Sequence, residues 1–285
     1  MTDDSAKGLV LQGVALEDLL QRWGSPLHVV DAAALRENAR RFLKPRGKDS
    51  GCEVFYSYKT NPVPGVLRVL HEEGVGAEVI SHHELWLARR LGVAPERIIY
   101  NGPGKSRESL REAIGLGIQV ININHAEEVA RVAEVARELG RRQRVGLRIS
   151  TGAGWTAQFG TPTHDGAALR AFAAAHATGV LDVVGVHAHL GGMIHDQGTL
   201  LWAVNGVLDF VEQLESELGL QLQILNFGGS LATPTVHHDT PLDRRLNQTF
   251  HRELPEPAAD ASLSIEDYID TLMRTVRERY QRRGR

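Results

Sequence analysis

Residues 76–102 read GAEVISHHELWLARRLGVAPERIIYNG: a short apolar run, a stretch of helical period, then a second apolar run. GAEVIS (76–81) and RIIYNG (97–102) have the length and β-branched content of buried strands. HHELWLARRLG, between them, carries apolar residues three or four apart and ends on a glycine that can take the left-handed cap conformation. Strand, helix and strand at this spacing make a parallel pair joined by a crossover helix. The alternation continues in both directions. VFYSYK (54–59), QVININ (119–124), RVGLRIS (144–150), DVVGVHAHL (182–190) and LQILNFGG (222–229) read as further strands, and SRESLREAIGLG and HAEEVARVAEVARELG repeat the glycine-terminated helical pattern.

Seven such runs suit either a doubly wound sheet or an α/β barrel. Their near-even spacing, with functional-looking residues at the strand ends, favours a (β/α)8 TIM-type barrel. The count is one strand short, because the last pattern, SIEDYIDTLMRTVRERYQRR, is a helix. An unclosed barrel leaves two open edges, so the chain is expected to be a fragment or to be completed by another segment. Residues 1–30 are expected to form a leader with a short strand at PLHVVD, and residues 31–285 the barrel, entered through a helix at AAALRENARRF. Leu231 to Ser262, rich in Pro, His, Thr and Asp, reads as a long loop on the C-terminal face of the barrel, where active sites are built.

At 285 residues one barrel core is permitted. With 32 Lys and Arg against 35 Asp and Glu, no basic excess points to nucleic acid. The single cysteine, Cys52, excludes an intrachain disulfide framework and a multi-cysteine metal site, and fits a cytoplasmic setting. No apolar run of about 18 residues suggests a membrane span, and MTDDSAKGLV is not a signal peptide. Small molecules or other protein chains are the expected partners.

Several strand ends carry chemistry. Lys59 closes the first strand; in apolar surroundings its amine would become a nucleophile for an aldehyde, although a strand-end lysine more often snorkels to solvent. Gly228 and Gly229 follow the seventh strand, where bare backbone suits either a phosphate cradle or a tight turn. His187 and His189 share a strand face, but no third ligand accompanies them, and no metal site is expected. Arg148 closes the fifth strand, where a salt bridge is the plain alternative to a ligand contact.

YSYKTNP, GAEVISHHEL, NGPGKS, GLRIS, the Phe-Gly pair at 159–160, GVHAHLGG and LNFGGS, in this order, resemble the motifs of the fold-type III pyridoxal-phosphate (PLP) decarboxylases, the group that holds diaminopimelate and ornithine decarboxylases. The resemblance covers roughly residues 26 to 282 and implies a barrel of the alanine racemase-like kind, lacking its last strand. It implies that Lys59 is the Schiff-base lysine, that Gly228, Gly229 and Ser230 hold the cofactor phosphate, and that His189 stacks on the pyridine ring with His187 on the same wall. It also places Arg148 beneath the cofactor and Glu78 where relatives more often carry Asp.

Several positions depart from the family pattern. His82 and His83 replace a Gly-Gly pair, Gln158 replaces a lysine, Gly192 replaces a serine, and VHHDTPLDRR replaces a glycine-rich continuation. The Glu-Pro-Gly-Arg strand and the β-domain that follow in the family are not in this sequence, and Cys52, ahead of the first strand, does not stand in for that domain's reactive cysteine. The resulting expectation is PLP-dependent decarboxylation of an amino acid by a cytoplasmic homodimer, with weak turnover by this chain alone. An amino-acid racemase and a non-catalytic PLP-binding or regulatory barrel are the alternatives.

Overall fold

A computed structural model describes residues 8–43, 51–152, 158–229, 231–233, 241–251 and 262–284. The leader holds a two-strand hairpin, β1 (Val10–Leu11) and β2 (Val14–Ala15), and the helices α1 (Leu16–Trp23) and α2 (Ala32–Leu43). Strands and helices then alternate as β3 (Phe55–Ser57), α3 (Pro64–Glu72), β4 (Gly76–Val79), α4 (His82–Arg90), β5 (Ile98–Tyr100), α5 (Arg107–Leu116), β6 (Val120–Ile123), α6 (Glu128–Glu138) and β7 (Gln143–Ser150). They continue as β8 (Thr161–Pro162), α7 (Ala167–Ala177), β9 (Leu181–His189), α8 (Gln197–Leu218), β10 (Ile224–Gly228), α9 (Pro241–Phe250) and α10 (Ile265–Gln281).

The main sheet runs β3-β4-β5-β6-β7-β9-β10, every neighbouring pair parallel, with β8 attached to the end of β7. All seven apolar runs are strands. The central ones are dry on both faces, as in β5 and β6, where every residue is buried. That is why they read as continuous apolar runs. The edge strands β3 and β10 are only half-buried along their whole length. Neither edge is paired to another strand among the described residues.

The sheet curls into a barrel wall. Lys59, just past β3, and His189, at the end of β9, act on each other electrostatically. Five strand intervals separate β3 from β9, which on a flat sheet is about 24 Å. Helix α10 packs on both α8 and α2, joining the two ends of the chain. Glu266 of α10 takes a two-pronged ion pair from Arg41 of α2, at 2.8 and 2.7 Å. Arg279 of α10 reaches Glu212 of α8 at 2.5 Å, and Arg283 beyond it reaches Glu215 at 2.7 Å.

Local chemistry sets the helix ends. Ser81, Ser106, Asp196 and Ser264 cap α4, α5, α8 and α10 by accepting a backbone N–H three residues on. Gly117 ends α5 and Gly219 ends α8 in the left-handed conformation, φ 72° and 65°.

Two expectations are corrected. PLHVVD forms no strand: Val29 and Val30 lie exposed, with nothing to pair against, and Asp31 instead accepts from the N–H groups of Ala33 and Ala34 to start α2. Part of the expected loop after β10 is helical, because α9 forms over Pro241–Phe250. Its first residue is a proline, a type suited to a first helical turn, and the surrounding Pro-, His- and Asp-rich sequence hides its period.

Candidate active site

Parallel register puts one polar side chain after another on the inner face of the wall. Ser57 pairs with Glu78, Asn122 with Gly146, Arg148 with His187, and Gly228 with His189. Partners in register share a face, so these groups, with Asn101 and Asn124, line one interior at the C-terminal ends of the strands. Lys59 stands at its rim, in the turn that follows β3 and is closed by Thr60 N–H on Ser57 O at 3.0 Å. The Tyr58 N–H bonds Glu78 O at 3.0 Å, which ties that turn to β4.

Glu78 is the charge centre. Burial pushes its carboxyl pKa up, while hydrogen bonds from Ser57 and Asn101 and the positive charges of Lys59 and Arg148 pull it down. Arg148 is lowered by burial and supported by Glu78; as a guanidinium it stays charged. Its carbon lies 4.9 Å from the Phe159 ring centre, and Nη1 faces Asn124 Oδ1 at 3.5 Å.

Both histidines are kept neutral. Burial, then the nearby Arg148 charge, takes the His187 pKa down to about 3 and lowers that of His189 as well. His187 Nδ1 donates to Asn226 O at 3.3 Å, whereas His189 Nδ1 accepts from Gly191 N–H at 3.3 Å. The rings therefore carry their protons on opposite nitrogens. Among the described residues no three His, Cys, Asp or Glu side chains converge as a metal site.

Gly229 requires glycine, and Gly228 leaves little room for anything larger. A Cβ on Gly228 would stand 3.1 Å from His187 Cε1, and one on Gly229, at φ 141°, would stand 2.9 Å from Gly191 O. Backbone alone fills the end of β10, at the foot of the histidine wall. Ser230 lies outside the described residues.

The departures from the expected motif are absorbed locally. His82 bonds Glu112 at 2.6 Å, and His83 stacks on Trp86 with ring centres 5.4 Å apart. Gln158 and Gly192 are exposed.

Residue-by-residue reading missed Ser57, Asn101, Asn122, Asn124 and Asn226. Asn122 donates to Asn101 Oδ1 at 2.6 Å. The available signal was QVININ: asparagine at alternate positions of an otherwise apolar, fully buried strand demands polar partners. The same reading missed a buried ion pair below the rim. Lys105 Nζ donates to Gly102 O at 2.6 Å and to both Glu128 oxygens at 3.1 and 3.3 Å, and Glu128 also accepts from Asn124 N–H at 2.7 Å.

A family model described as pyridoxal-dependent decarboxylase, pyridoxal binding domain, matches residues 33–271. The chain belongs to this decarboxylase family. Pyridoxal phosphate is therefore the cofactor of this decarboxylase-family domain. The diaminopimelate decarboxylase of Methanothermobacter thermautotrophicus is 31% identical over 96% of this chain and 69% of its own length. That of Aquifex aeolicus is 31% identical over 78% of this chain and 54% of its own. The crystal structure of diaminopimelate decarboxylase from M. jannaschii in complex with L-lysine superposes with a TM-score of 0.81 at 25% identity, over 95% of this chain and 61% of that one. The chain thus spans between about half and two thirds of the length of these relatives.

The interior of this decarboxylase-family domain fits the cofactor. It offers an amine at the rim, a guanidinium and a carboxylate within electrostatic reach of each other, a neutral imidazole wall, and a glycine turn that any Cβ would obstruct. Among the described residues, a buried amide nitrogen, Asn124 Nδ2, has no hydrogen-bond partner.

Proposed function

We propose that this chain is the cofactor-binding part of a PLP-dependent amino-acid decarboxylase acting on diaminopimelate, in lysine biosynthesis. One observation carries the reading: within a domain matched to the pyridoxal-binding family, Glu78 and His189 each lie within electrostatic reach of both Lys59 and Arg148 at the C-terminal ends of the strands. The relatives at 31% identity are diaminopimelate decarboxylases, and removing one carboxyl from diaminopimelate leaves lysine, the molecule bound in the M. jannaschii structure.

Bound at this mouth, pyridoxal phosphate supplies an electron-withdrawing ring that takes up the charge left as carbon dioxide departs. The chain's own residues prepare the place. Lys59 offers its amine from a turn tied to β4, and Glu78 balances the positive charge of Lys59 and Arg148. Arg148 would hold the ring from beneath, and His189, uncharged, would give it a flat wall that adds no further positive charge. Gly228 and Gly229 leave room for the phosphate, and Ser230, next in sequence, is proposed to add a hydroxyl to it. Cytoplasmic location and a homodimer complete the proposal; a single cysteine suits a reducing compartment.

The test is reduction of the PLP-loaded chain with borohydride and mapping of the modified lysine by mass spectrometry, with Lys59→Ala as control. A phosphopyridoxyl group on Lys59, followed by release of carbon dioxide and L-lysine from diaminopimelate by the protein with its barrel closed, is the expected result. Adducts spread over surface lysines would refute the cofactor site. Racemised substrate, or cofactor capture with no change in any amino acid, would refute decarboxylation. The 285-residue chain alone, with β3 and β10 unpaired to each other, is expected to capture cofactor and turn over weakly.

A further inference from the structure

Asn124 follows β6 on the same face as Asn122, and its side chain is 1% exposed. Its amide orientation is set by Arg148. Oδ1 faces the donor Arg148 Nη1 at 3.5 Å, so the oxygen belongs there and a flipped amide would set NH2 against a guanidinium. The backbone N–H is held by Glu128, which the Lys105 ammonium anchors in turn. Nδ2 is left buried with no partner among the described residues. A buried donor without an acceptor is a standing cost, and one beside a guanidinium at the C-terminal ends of the strands marks where a ligand oxygen belongs.

We propose that Asn124 is a ligand-contacting residue of this site, donating through Nδ2 to an anionic oxygen of the cofactor or of the amino acid, next to Arg148. The assignment rests on the functional reading above and adds a residue to it. Asn124 and Arg148 then act together: the guanidinium orients the amide and supplies positive charge, and the amide supplies a directed N–H. An acceptor of carboxylate, phenolate or phosphate type satisfies both.

Asn124→Asp keeps an oxygen facing Arg148 but exchanges the donor for a negatively charged acceptor that opposes an anionic ligand oxygen; Asn124→Ala removes both oxygen and donor without adding charge. The full chain of each variant is titrated with pyridoxal phosphate, followed by the visible band and by borohydride trapping at Lys59. In parallel, the visible band of unreduced samples is challenged with L-lysine and with diaminopimelate. If the oxygen belongs to the cofactor, both variants need about tenfold more pyridoxal phosphate for half-capture. If it belongs to the amino acid, cofactor capture is unchanged and about tenfold more amino acid is needed to shift the band. Thermal melts without cofactor separate a merely structural role, which would lower the melting temperature and leave both titrations unmoved. Unchanged cofactor and amino-acid titrations in both variants overturn the assignment while the functional reading stands. Failure of the wild-type chain to label at Lys59 overturns both.

Discussion

Glu128→Gln removes one charge from the most enclosed ion pair in the barrel and leaves its shape intact. Lys105 is 1% exposed and Glu128 6%, so water cannot replace either partner. The carboxylate accepts from Lys105 Nζ at 3.1 and 3.3 Å and from Asn124 N–H at 2.7 Å, while the ammonium's other acceptor is Gly102 O. Burial already lowers the Lys105 pKa against the pull of Glu128. Removing one partner of a buried pair costs about 3–5 kcal/mol, because the other charge stays buried without compensation. At about 2 °C per kcal/mol for a domain of this size, the melting temperature should fall by about 6–10 °C. Lys105→Met should cost a similar amount, since it strands the carboxylate. The double variant, Lys105→Met with Glu128→Leu, should recover part of the loss, because a buried pair exchanged for apolar groups of similar volume is often neutral, while the Asn124 N–H loses its acceptor. Urea unfolding of all four proteins gives the coupling directly. Additive single losses, with no recovery in the double variant, would refute the claim that the two charges are coupled.

Stability should also follow the histidine wall. The folded His187 pKa of about 3 lies below the ordinary value of 6.5, so between those pH values the unfolded chain binds the extra proton. Its contribution is intact above about pH 6.5 and is lost as pH falls toward 3, at up to about 1.4 kcal/mol per unit. Urea midpoints at pH 7.5, 6 and 5 should show a shallower fall for His187→Gln than for wild type. Gly229→Ala, at φ 141° with its Cβ 2.9 Å from Gly191 O, should cost about 1–3 kcal/mol and weaken retention of pyridoxal phosphate in a dialysis assay. Tyr58→Phe removes the hydroxyl that donates to His71 Nε2 at 2.7 Å, while His71 Nδ1 stays committed to Val75 O at 2.8 Å. The stranded acceptor should lower stability by about 1–3 kcal/mol in urea.

What was legible before any coordinates follows from the periodicity of buried elements. β5 and β6 are dry on both faces, so their sequences are apolar throughout and declare themselves; the helices between them declare themselves by apolar spacing and by terminal glycines such as Gly117. The leader was harder, because PLHVVD has strand composition and no neighbour to pair with, and propensity yields to the absence of a partner. Helix α9 was hidden in a polar stretch with weak period.

Local sequence, through order and spacing, determined the parallel alternation and the residue types at the strand ends: a lysine after β3, an arginine in β7, histidines at the end of β9 and glycines at the end of β10. Only the tertiary structure decided what these residues meet. Glu78 comes within reach of both Lys59 and Arg148, and Asn124 is oriented against Arg148 with one donor left over. The reason is the curl of the sheet. Strand register sets which side chains share a face, but curvature across five strand intervals sets which of them are close enough to exchange charge or a hydrogen bond, and no short window of sequence encodes that distance.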